Sequence, residues 1–217
     1  MPVSLHDLAE PATCAVLTME IQRGVVGDLS SFPQLAEAAE RVGVVANTAR
    51  ILDAARGKGI PVIHCTAEFR ADRVGSTVNC QLIAAMVRNP DHLLAGTPPT
   101  ELIAELGPEP GDLISSRLHG VSPFAGTSLD AWLRSLGVRT IVATGVSVNL
   151  GVLGLAIEAV NLGYGVVVPR DTVAGIPQEY ADAVLDNTFP LISTLTTVDE
   201  LLGAWETAPA RPGTNIR

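Results

Sequence analysis

Residues 140–163, TIVATGVSVNLGVLGLAIEAVNLG, constrain the fold more than any other stretch. Ile141, Val142 and Ala143 make a charge-free, largely β-branched run, the mark of a strand covered on both faces. A turn with Gly145 and Ser147 follows. After it comes an apolar helix that Asn149 can cap and that Gly163 lets the chain leave. A buried strand, a glycine turn and a helix start build ligand sites in α/β proteins, because the turn directs backbone N–H groups at whatever binds. What this unit lacks is a reactive side chain.

The same alternation runs through the chain. Apolar runs at 14–18, 61–65, 113–114, 166–168 and 192–196 read as further strands. Leu35, Ala38, Val42, Val45, Ala49 and Leu52 recur every three or four residues, which predicts one long helix from Pro33 to about Lys58. Shorter helices are expected at 81–87, after Thr127, at 179–185 and from Asp199. Thr127 and Asp130 have the spacing of a capping box. Aromatic residues are only 4% of the chain, so the core is aliphatic, as suits helices packed on a parallel sheet. The pattern predicts one doubly wound α/β domain over residues 1–217, with a mostly parallel central sheet of about six strands. Its core spans about 14–202 and residues 207–217 form a flexible tail.

Charge and cysteine usage exclude several classes of function. Net charge is −9 with 14 Lys and Arg and no basic cluster, which argues against a nucleic-acid partner. Cys14, Cys65 and Cys80 are too scattered for a disulfide framework or a metal knuckle. The first ten residues lack a leader pattern, and the apolar region 150–168 is broken by Glu158 and Asn161. A cytoplasmic protein that stays off membranes is the expectation.

In a doubly wound sheet, ligands bind beyond the carboxyl ends of the strands. That topology gathers four segments: 20–22, 64–70, 117–124 and 145–151. The polar loop at 66–79 is long for a compact domain, a length more often functional than idle.

These segments resemble, in this order, the isochorismatase-like hydrolases, also called cysteine hydrolases. The likeness spans about 14–202. Its most specific part is the run from Ser122 to Asp130, SPFAGTSLD, followed by Leu133, Gly137, Thr144-Gly145-Val146, Gly163-Tyr164 and Arg170-Asp171. The resemblance implies a three-layer α/β protein acting on a small molecule, with no cofactor, usually as a homodimer or higher homo-oligomer. Most relatives carry a catalytic Asp after the first strand, a Lys after the third and a Cys nucleophile after the fourth. Here the Asp position is Glu20, the Lys position falls at Leu118 beside Arg117, and the Cys position is Gly151. The Asp-x-His set of the zinc-binding relatives has no counterpart, so no metal is implied.

Without a thiol at Gly151 the thioester route has no attacking atom. The branch of the family that hydrolyses vinyl ethers also has Gly there; in that reaction an acid protonates the enol ether and water attacks the cation. Glu20 can be that acid if burial keeps it protonated, or it can be a carboxylate paired with Arg117 or capping N–H groups. Arg117 can hold a substrate carboxylate bidentately or sit solvated in its loop. Substrate contacts are expected at Gln22, Glu68, His119, Ser147 and Leu150. Glu68 stands where the vinyl-ether branch has a Gln, and its charge would repel a dicarboxylate. Ser147 reads as a substitute nucleophile or, better, a turn residue; His64 and His119 as acid–base residues or, better, ordinary hydrogen-bonded histidines; and Cys65 as a buried thiol. Two functions follow: hydrolysis without a cysteine, with vinyl-ether cleavage through Glu20 as its sharpest form, or binding of a ligand or protein without turnover.

Overall fold

The computed structural model describes residues 4–213. After a short helix α1 (Leu5–Leu8) come β1 (Cys14–Met19), α2 (Arg23–Val26), α3 (Pro33–Val42), α4 (Val44–Gly57) and β2 (Val62–Ala67). Next are α5 (Gln81–Arg88), β3 (Leu113–Arg117), α6 (Leu129–Ser135), β4 (Thr140–Val146) and α7 (Leu153–Asn161). The chain ends with β5 (Gly165–Pro169), β6 (Val173–Ala174), α8 (Gln178–Asn187), α9 (Phe189–Ile192), β7 (Thr194–Thr196) and α10 (Val198–Thr207).

The strands form one parallel sheet in the order β3-β2-β1-β4-β5-β7, with β6 paired to β4. Alternation along the buried strands divides the core in two. Val16 and Val142 join Ile51, Leu52, Leu201 and Trp205 under α4 and α10. Leu17, Ile141 and Ala143 join Leu133, Leu155, Leu185 and Phe189 on the other face. The result is the three-layer, doubly wound α/β architecture that the sequence predicts, with seven strands among the described residues where about six are expected. Because strand order reverses between β1 and β4, a crevice opens at their carboxyl ends.

Several local expectations are corrected. The long helix from Pro33 is two helices, because Gly43 takes the left-handed conformation (φ 78°) and turns the chain between α3 and α4. Asn149 caps nothing: residues Val148–Val152 form a π-helical turn, and the Asn149 amide donates to the Ile176 carbonyl at 3.2 Å. Thr127 and Asp130 form no capping box. The Thr127 hydroxyl accepts from the Leu129 N–H, while Asp130 accepts from the Tyr164 hydroxyl at 2.7 Å. The tail is not loose through residue 213 either. Arg211 donates to the Pro11, Cys14 and Leu136 carbonyls, and its own N–H donates to Lys58 O at 2.8 Å. The expected tail's last residues, 214–217, and residues 1–3 lie outside the described residues.

Candidate active site

Crowding of backbone at the β1–β4 reversal builds the site. Gly145 has φ 106°, and a β-carbon there would collide with the Met19 backbone, so only glycine lets β1 and β4 approach so closely. Beyond it, Val146 and Ser147 are joined by a cis peptide bond and lead into the π-helical turn. The Ser147 carbonyl accepts from the N–H groups of Leu150 and Val152. Those two donors are therefore not directed at a ligand and take no part in the expected backbone cradle.

Glu20 follows β1 directly and also lies in the left-handed region, at φ 52°. Arg117 ends β3. Its side chain is 4% exposed and forms an ion pair with the Glu20 carboxylate, which is 13% exposed. The guanidinium also donates to Gly120 O at 3.1 Å and reaches toward Thr66 O at 3.5 Å. A buried Arg with a carboxylate and carbonyl partners is held in one orientation. Of the two readings of Arg117 the solvated one is thus excluded, and Glu20 is paired. Leu118, at the expected lysine position, lies outside this geometry, with its side chain near Gly75.

Glu20 and Arg117 line a cavity of about 230 Å³ together with Ser147, Leu150 and Gly151. Its remaining wall is largely apolar, from Val25, Phe32 and Leu35, Leu82 and Met86 on α5, and Leu93. His92 is the other ionisable residue in that wall. A β-carbon on Gly151 would stand 2.8 Å from the Val146 carbonyl oxygen and 3.2 Å from Met19 Cε. Glycine is therefore built into the position. A larger, open groove of about 960 Å³ between α3 and residues 101–105 contains neither Glu20 nor Arg117, and Arg23 in its wall is paired with Asp28 and Glu101.

Three expected substrate contacts are not in the cavity wall. Gln22 is fully buried and its amide is fully occupied, donating to Ala67 O and Thr100 O and accepting from Ala67 N. It ties β2 to the loop before β3 and is structural. Glu68 and His119 also lie outside the wall, so of the four expected segments 64–70 contributes no lining residue. His64 is buried between Thr18 (2.9 Å) and Asp112 (3.3 Å), a structural link rather than an acid–base group. Burial pushes the Cys65 thiol up to about 12. Among the described residues no cluster of three His, Cys, Asp or Glu is placed to hold a metal ion.

The isochorismatase domain matches residues 14–200. The chain belongs to the isochorismatase family. Ureidoacrylate amidohydrolase RutB from Methylobacterium radiotolerans is 30% identical over 93% of this chain and 84% of that protein. An isochorismatase family protein from Burkholderia thailandensis superposes with a TM-score of 0.72 at 28% identity, covering 91% of this chain and 97% of its own. A cysteine hydrolase from Pseudomonas syringae shares the fold with a TM-score of 0.76 at 22% identity, covering 95% and 96%. The match, to a family described by its isochorismatase domain, covers nearly the whole chain. Among the described residues no helix is long and apolar enough to cross a membrane.

Proposed function

We propose that this protein hydrolyses a small amide or ureide by direct attack of water, with Glu20 as general base. The observation that carries this reading is the Glu20–Arg117 ion pair in the wall of a largely apolar cavity. A carboxylate held as one half of an ion pair accepts protons rather than donating them. That pairing disfavours the acid-driven vinyl-ether route and favours base-assisted attack on an acyl carbon. The 30% identity to a ureidoacrylate amidohydrolase supports the same bond type. In the proposed reaction the water oxygen bonds to the acyl carbon as its proton passes to Glu20. The C–N bond then breaks, and the nitrogen leaves with that proton. Arg117 has five N–H donors and only three hydrogen-bond partners here, so donors remain for the developing oxyanion.

The test is Glu20→Gln assayed over small amides, ureides, esters and vinyl ethers, with circular dichroism to verify folding. Loss of a general base is expected to lower kcat/KM by about 10²–10⁴-fold. Unchanged turnover of a substrate that the wild type hydrolyses would end Glu20's role. The crowding at Gly151 favours a second reading, a family member that binds without turnover. Ligands that bind the wild type yet are never hydrolysed would select it.

Self-association belongs to the same proposal. Leu191 on α9 is 82% exposed, and Ile157 and Val160 on the adjacent α7 are more than 40% exposed, an uncovered apolar surface. Light scattering is expected to give a dimer or larger species, with Leu191→Lys shifting it toward monomer. A monomeric wild type would overturn this.

A further inference from the structure

His92 is 2% exposed, yet neither of its ring nitrogens has a hydrogen-bond partner. A buried polar group left unpaired costs on the order of 1–3 kcal/mol, so native chains pair such groups unless function intervenes. The ring is not loosely placed. Phe32 meets it edge-on with centroids 5.3 Å apart, and Phe69 lies at 6.0 Å. Its backbone neighbour Leu93 takes φ 45°, a conformation rare for a leucine. Phe69 fixes that segment by donating to Leu93 O and accepting from Ala95 N, both at 2.8 Å. Strained, over-determined backbone of this kind clusters at ligand sites, and the other such residue in this cavity wall is Glu20.

Electrostatics keep the ring neutral. Burial, reinforced by the Arg73 guanidinium, lowers its pKa to about 4. The charged residues around the cavity are Arg73, whose guanidinium stacks on Phe69, and the mutually paired Glu20 and Arg117. A neutral imidazole offers one N–H donor and one nitrogen acceptor and no charge. The wall beside it, Phe32, Leu35, Met86 and Leu93, offers neither.

We infer that His92 is a specificity-determining residue that hydrogen-bonds an uncharged polar group on the substrate, joined by a short apolar body to the bond being hydrolysed. The class of ligand is a small neutral molecule with a second amide, ureide or hydroxyl group. A carboxylate or ammonium at that end would meet no charged side chain in the cavity wall beyond the mutually paired Glu20 and Arg117, since Arg73 lies outside the lining, stacked on Phe69. This rests on the proposed reading of the cavity as the substrate site, but not on turnover.

The test uses three probes of one length: adipamide, adipamic acid and hexanamide, whose far ends are amide, carboxylate and methyl. Calorimetric binding is measured alongside hydrolysis, so the inference and the hydrolase reading fail separately. The wild type is expected to bind adipamide about 10-fold or more tighter than either of the others. His92→Phe should erase the preference over hexanamide by weakening adipamide alone. His92→Gln, which keeps a donor and an acceptor, should largely retain it. Where turnover is seen, the change should fall in KM rather than kcat. The preference present and lost in His92→Phe without any turnover sustains the inference and ends the hydrolase reading. Equal binding of the three probes to the wild type, including no binding, overturns the inference, as does a preference unchanged in His92→Phe.

Discussion

The 2.8 Å approach of a notional Gly151 β-carbon to the Val146 carbonyl oxygen is closer than real β-carbons tolerate, and that neighbour is backbone. The turn is packed for glycine, so restoring a side chain must push the carbonyl or the π-helical turn aside. Gly151→Ala and Gly151→Cys should each lose about 1–3 kcal/mol, a usual cost of overpacking. Thermal denaturation measures it. An alanine variant that melts like the wild type would show that the crowding is not real. The cysteine variant is expected to hydrolyse amides no faster than the wild type. At this scale sequence reading was uneven. Strand order gathers the segments that hold Glu20, Arg117 and Gly151, and the family resemblance is what singles out those three positions. His92 carries no sequence signal: it is a lone histidine in a proline-broken segment, and only tertiary packing places it in the cavity wall. Gln22 misled in the other direction, since a polar residue beside the site is here a buried brace.

Among the elements, strands were the most legible and helix ends the least. β1 and β4 are buried along their whole length, and neither carries a charged residue. Helix periodicity survives a single glycine in sequence, which is why α3 and α4 read as one helix. The structure separates them because the Gly43 N–H donates to the Ala39 and Glu40 carbonyls while its φ is left-handed. Asn149 shows a different limit. Its position suggests a cap, yet the turn winds as a π-helix and the amide reaches Ile176 instead. The tail resisted reading for a similar reason. Arg211 finds carbonyl partners some 200 residues earlier in the chain, at Pro11 and Cys14, a pairing that no local pattern reports.

For the molecule as a whole, buried histidines govern how it responds to acid. Burial lowers the pKa of His64, with Asp112 opposing and Arg56 assisting, and burial with Arg73 lowers that of His92 to about 4. Both are depressed below the unfolded value of about 6.5. Above that pH neither native nor unfolded chain protonates them, and they leave stability unchanged. Below it the unfolded chain takes up protons that the native one refuses, so stability falls as pH drops from 6.5 toward 4. Asp112 adds to this at lower pH. Burial would raise it, but hydrogen bonds from Arg56, the Glu109 amide and His64 hold it below the ordinary range, so its contribution is lost as pH falls below about 3.9. The melting temperature should therefore decline in two stages, the first between pH 6.5 and 4. His92→Phe should flatten that first stage by on the order of 5 °C, leaving the second intact. An unchanged slope in that variant would mean that the imidazole titrates normally and is more solvated than its packing against Phe32 and Phe69 requires.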